Sequence, residues 1–139
     1  MNDLQKSLHI SEYMKLHSAK GVKGEFIPKS QGGEDLEART GYLYGLHPKL
    51  PPVLAVSSYR KGLWSISHIG TGGLIMDSFA TKKEAEQYVC LCLLLDWDLG
   101  DGIPERTSRA MKLISKGVRG GIRGGDVGLA AKLHDMLEL

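Results

Sequence analysis

Cysteine is nearly absent from this 139-residue chain: the two present, Cys90 and Cys92, lie two apart in the apolar run VCLCLLL. On a helix, residues two apart point about 200° away from each other, which permits neither a mutual disulfide nor a shared metal. They are read as small core residues of a protein kept in a reducing cytosol. Long hydrophobic runs are missing too. Val89 to Leu95 is the longest, far short of the roughly 20 residues that cross a bilayer, so no membrane partner is expected. The opening MNDLQKSLHISEYMKLH carries charges and histidines with no apolar centre, unlike a secretory leader, and a cytoplasmic location is expected. Prolines number only five, while 42% of residues are hydrophobic and 24% charged, which excludes a linker protein and global disorder.

The motifs of several chemistries are also lacking. No H-x-x-x-H or H-E-x-x-H relates His9, His17, His47, His68 and His134, so neither a metal nor a cofactor is expected. No G-x-S-x-G marks a nucleophilic serine. In GVRGGIRGGD the spacing from Gly120 to Gly125 suits a P-loop, but Asp126 stands where the phosphate-binding lysine belongs, and a carboxylate there repels phosphate. No G-x-G-x-x-G can be drawn through these glycines, and the stretch follows a helix rather than a strand.

What is present suits one α+β domain over residues 1–139, a length that can bury its own core. Residues 3–17 predict a helix with a modest apolar face (Leu4, Leu8, Ile10, Tyr13, Met14, Leu16). A short strand is expected around Glu25 to Ile27, then a surface loop broken by Pro28 and Gly32-Gly33. Tyr42, Tyr44 and Leu46 alternate before Pro48, Pro51 and Pro52, as an edge strand closing in a rigid turn would. Three β-type runs follow, Val53 to Tyr59, Leu63 to Ile69 and Leu74 to Phe79, joined by RKG and GTGG, loops of hairpin length. Thr81 and Glu84 form a T-x-x-E capping box that opens a helix expected to reach about Leu99, with Gly100 as its stop. Because Tyr88 to Leu95 is apolar on nearly every side, that helix must be covered all round. Two helices, joined by the glycine-rich stretch, close the chain. Asp126 is the expected N-cap of the second, and Leu129, Leu133, Met136 and Leu137 its core stripe. The architecture expected is an antiparallel β-meander packed on a buried central helix, with an N-terminal helix and a C-terminal helix pair. A Trp-containing hairpin followed by a TKKEA helix start, Val53 to Leu95, resembles small accessory proteins encoded by phages and plasmids; the resemblance assigns no functional residue.

Charge is segregated. The net charge is +2, yet residues 1–103 hold 11 Lys and Arg against 12 Asp and Glu, while 104–139 hold 7 against 4. At 100° per residue, Ala110, Met111, Ile114 and Val118 share one arc, and Arg109, Lys112 and Lys116 fall opposite. Arg106, Arg119 and Arg123 extend this basic helix-loop-helix region at 104–139. The expected function is non-catalytic binding of a nucleic-acid backbone, DNA or RNA, through Arg106, Arg109, Lys112, Lys116, Arg119 and Arg123. Two RGG units resemble single-strand-binding tracts, but no aromatic residue lies between Trp97 and the C-terminus to stack on bases. That lack keeps open a protein-interaction module, an inhibitor or adaptor whose cations meet an acidic surface. A third reading is a small hydrolase: Trp64, Ile66 and His68 are expected to share a sheet face with Ile75, Asp77 and Phe79, which would let Asp77 orient His68 beside a serine.

Overall fold

The computed structural model describes the chain apart from residues 18, 19, 31, 48, 61, 98–103 and 119–125; of residues 59, 60, 78 and 115–118 it describes the backbone alone. The element order is α1 (Asp3–Leu16), β1 (Val22–Phe26), β2 (Arg39–Tyr44), β3 (Leu54–Arg60), β4 (Leu63–His68), β5 (Leu74–Phe79), α2 (Lys82–Cys92), α3 (Glu105–Val118) and α4 (Val127–Met136). This is an α+β architecture with a five-stranded antiparallel meander in the order β1-β2-β3-β4-β5. The chain falls into two compact units, Ala19–Val89 and Met1–Ser18 with Cys90–Leu139.

The first unit is the sheet with the opening turns of α2. Cross-strand partners lie on one face of a sheet, so the register Tyr42↔Val56, Val56↔Ile66 and Ile66↔Met76 defines an apolar row. The start of α2 docks on this face. The Tyr44 hydroxyl donates to Glu86 at 2.7 Å, the Lys82 ammonium stands 3.4 Å above the Tyr42 ring, and the Phe79 and Tyr88 rings lie 5.4 Å apart. Thr81 Oγ1 accepts the Glu84 N–H at 3.1 Å, an arm of the expected capping box. On the opposite face run Leu43, Ala55 and Ser67. Here Phe26 lies over Gly41, where a Cβ would come within 2.6 Å of the Val56 carbonyl oxygen. The β1–β2 connection reaches back to the β4–β5 turn, with Lys29 N–H donating to the Gly72 carbonyl at 2.9 Å. Gly72 sits at φ +71°, and a Cβ there would lie 2.6 Å from the Ile27 oxygen, so no other residue fits without strain.

Several sequence expectations are corrected here. The Tyr42 strand is not an edge strand: β2 pairs with β1 over five residues and with β3 on its other side, so the edge is β1. Ile66 faces Met76 rather than Ile75, because irregularities on either side of Ile66 break the alternation. Accordingly Met76 is buried and Ile75 only partly so. Helix α2 ends at Cys92, seven residues before Leu99. There the ladder tightens to i→i−3 bonds, Leu94 to Leu91 and Leu95 to Cys92, and the Trp97 indole N–H caps the Cys92 carbonyl at 2.7 Å. Gly100 lies outside the described residues. The helix is buried as its composition requires, with Tyr88, Val89, Cys90, Leu91 and Cys92 all in the core.

The second unit pairs α1 with α4 and α4 with α3. An Asn2/Gln5 capping box, absent from the sequence reading, starts α1. Only Ile10 and Met14 of the expected apolar set are buried, while Leu4, Leu8 and Leu16 are exposed. Lys6 on α1 bridges Asp135 on α4 at 2.7 Å, and His9 Nδ1 meets His134 Nε2 at 2.7 Å. The core side of α4 consists of Ala130, Ala131, Leu133, His134 and Leu137. Leu129 and Met136 of the expected stripe are half-buried. Among the described residues no helix is long and apolar enough to cross a membrane.

Candidate nucleic-acid interface

Helix α3 carries the predicted basic surface. Glu105 stands in its first turn, where a carboxylate suits the positive end of the helix dipole. Thr107, Ala110 and Ile114 are buried, and the Thr107 hydroxyl donates to the Asp96 carbonyl at 3.0 Å. Arg106, Arg109 and Lys112 are exposed. Of the expected apolar arc Ala110 and Ile114 are buried, Met111 is half-buried and Val118 is described by its backbone alone, so over the described side chains the 3.6-residue period separates core from charge.

Two of these cations already have partners. Arg106 donates Nε–H and an Nη2–H to the Met136 carbonyl, at 3.3 and 3.0 Å, capping the end of α4. A guanidinium has five N–H donors, so three remain. Arg109 pairs with Glu105 one turn earlier, Nη2 to Oε1 at 2.6 Å, both side chains being well exposed. An exposed pair of this kind contributes ~0.3–0.5 kcal/mol and exchanges readily for another anion. Among the described residues Lys112 has no carboxylate partner. Lys116 lies on α3 with only its backbone described, and Arg119 and Arg123 fall outside the described residues. Asp126 is the expected N-cap of α4, its carboxylate accepting the Leu129 N–H at 3.0 Å.

The histidine and cysteine chemistry considered from sequence takes a different form. His68, nearly buried, accepts the Thr71 backbone N–H on Nδ1 at 3.1 Å and lies 3.0 Å from the Thr71 hydroxyl, inside its own turn. Asp77 follows Met76 in the irregular part of β5, so the regular alternation that placed it on the face of His68 does not hold. Burial pushes the Cys90 thiol up to about 12 and raises that of Cys92 as well, which keeps both as inert core thiols. Among the described residues no group of three His, Cys, Asp or Glu side chains could hold a metal.

The chain matches no protein-family model, no curated protein and no solved structure. Function therefore rests on the geometry of the chain itself.

Two features escaped the sequence reading. One is the His9–His134 contact, which joins residues 125 positions apart. The other is an open cleft of about 370 Å³ beside the β1 edge, lined by Lys20, Val22, Leu43, Leu46, Leu50 and Pro52 among others. Its signal was present in LHPKLPP, where leucines sit among turn residues that ordinarily carry polar side chains.

Proposed function

We propose that the protein is a non-catalytic binder that contacts a nucleic-acid backbone through the exposed face of α3 and the arginine-glycine segment after it. The observation that carries this reading is the division of α3, with Thr107, Ala110 and Ile114 buried and Arg106, Arg109 and Lys112 exposed. Phosphate oxygens take the place of Glu105 on Arg109, or meet the unused donors of Arg106. A non-catalytic role is supported by His68, whose Nδ1 is spent within its turn, and by two thiols held protonated.

Six cations (Arg106, Arg109, Lys112, Lys116, Arg119 and Arg123) correspond to a slope of log affinity against log salt of about −5.4 on duplex DNA and about −4.2 on a single strand. Fluorescence anisotropy with labelled oligonucleotides over a salt series measures it. Lys112→Glu is expected to flatten the slope by about one unit or more and to weaken every sequence alike. Absence of salt-sensitive binding to both DNA and RNA overturns the reading; in that event, retention of an acidic protein partner after nuclease treatment is the outcome that reassigns the surface.

A further inference from the structure

The cleft beside β1 is a second surface, unrelated to the cations of α3. Val22, Leu46 and Leu50, which line it, are 74%, 66% and 54% exposed. Single exposed apolar side chains are ordinary, but three around one concavity mark an interaction site. Its volume, about 370 Å³, falls in the range of ligand and peptide pockets.

The cleft is preformed. Its far wall is made by Gly45, Leu46, His47, Leu50 and Pro52, held by Leu50 N–H on the His47 carbonyl at 3.0 Å, Lys49 N–H on His47 Nδ1 at 3.0 Å, and Val53 N–H on the Tyr44 carbonyl at 2.7 Å. Gly21 lets the chain pass against the Tyr44 ring, where a Cβ would lie 2.6 Å from a ring carbon. The near wall is β1, whose pairing among the described residues is with β2 alone. Alternate residues of such a strand direct N–H and C=O groups away from the sheet, where an added strand can bond them.

Side-chain chemistry specifies the occupant. Val22 shares its face with Leu43, while Lys23 belongs to the opposite face with Tyr42. Lys20 and His47 line the cleft and Lys23 and Lys49 flank it, all four exposed, and among the described residues no carboxylate lines it. Glu86 is held by the Tyr44 hydroxyl, and Glu25 lies three residues further along β1. We propose that the β1 edge and this cleft take an extended peptide segment of a partner protein, in which apolar residues alternate with acidic ones. The apolar residues enter beside Val22, Leu46 and Leu50. The acidic ones face Lys23 from the other side of the added strand.

The test is fluorescence anisotropy with a labelled ten-residue peptide alternating leucine or valine with glutamate, against a companion in which lysine replaces glutamate. The glutamate peptide is expected to bind saturably in the range of about 10–100 µM, with the lysine peptide at least about tenfold weaker. Val22→Asp and Leu50→Ser alter exposed positions, and unchanged far-ultraviolet circular dichroism will verify that they fold; each is expected to weaken binding about tenfold or more. Lys23→Glu is expected to shift preference toward the lysine peptide. No saturable binding below about 1 mM, equal affinity for the two peptides, or indifference to Val22→Asp overturns the proposal. So does concentration-dependent dimerisation that Val22→Asp abolishes, since it assigns the edge to a second copy of this chain.

Discussion

Removing one hydroxyl, in Tyr44→Phe, tests how α2 is fixed to the sheet. Tyr44 is 2% exposed, and its hydroxyl donates to the half-buried Glu86 carboxylate at 2.7 Å. Burial, and after it the bond to Glu86, pushes this hydroxyl far above the usual tyrosine range, so it stays a donor at any pH at which the protein is folded. Hydrogen bonds to charged groups contribute about 1.5–3 kcal/mol. Water regains one side of Glu86 when the hydroxyl is lost, so the lower end, about 1.5 kcal/mol, applies here. At ~2.1 cal/mol/K per residue, that corresponds to a melting shift of about 5 °C for a chain of this length. Urea denaturation of Tyr44→Phe, Glu86→Ala and the double variant separates the bond from the loss of either group alone. A coupling of about 1 kcal/mol is expected. A cost below about 0.3 kcal/mol for Tyr44→Phe, or additivity within that margin, refutes the reasoning.

Two further predictions concern positions the sequence reading passed over. Gly41→Ala places a methyl 2.6 Å from the Val56 carbonyl and 3.3 Å from the Phe26 ring, and is expected to cost about 2–4 kcal/mol or to block folding, read from the urea midpoint; an unchanged midpoint contradicts the close approach of β2 to β3. His134 is buried, and burial first, then the neighbouring His9, lowers its pKa, so the fold prefers the neutral ring. Its contribution is complete above the unfolded value of about 6.5 and is lost as pH falls through that value toward the folded one. The His9–His134 bond needs one nitrogen without a proton, which points the same way. Asp135, held below the usual carboxylate range by the Lys6 hydrogen bond, acts in a separate window: its contribution is present above about 3.9 and fades below it. Urea midpoints at pH 7.5 and 5.0 are expected to fall more for the wild type than for His134→Gln, and equal falls would remove the histidine from the account.

What was legible in the sequence followed from local chemistry. Thr81 and Asp126 cap their helices because the residues they satisfy lie three positions on. The hairpin at Gly62 was legible because φ +78° needs glycine. What was missed is non-local. The end of α2 is set by the Trp97 indole, five residues away, on a carbonyl that no propensity marks. Strand β1, VKGEF with a single buried side chain, offers almost no alternation, so its pairing along β2 could be found only in three dimensions. Irregular register between β4 and β5 then moved Met76, rather than Ile75, opposite Ile66 and removed the regular spacing on which the His68–Asp77 reading depended.

The same contrast orders the two proposed binding surfaces. The cations of α3 repeat at helical spacing within one element, so periodicity alone displayed them, but it did not show that Arg106 also caps α4 or that Arg109 already holds Glu105. The cleft draws Lys20 and Val22 from one strand entry and Leu46, Leu50 and Pro52 from a turn more than twenty residues later. Each half alone resembles an ordinary loop with a stray apolar side chain. Only the antiparallel pairing Val22↔Leu43 brings them together, and that pairing also makes β1 an edge. An apolar concavity beside a strand that pairs on one side only among the described residues offers both parts of peptide recognition, hydrogen bonds for affinity and pockets for alternate side chains. A nucleic acid on α3 and a peptide at β1, as proposed, would therefore answer to different perturbations: salt and Lys112 for one, Val22 and Leu50 for the other.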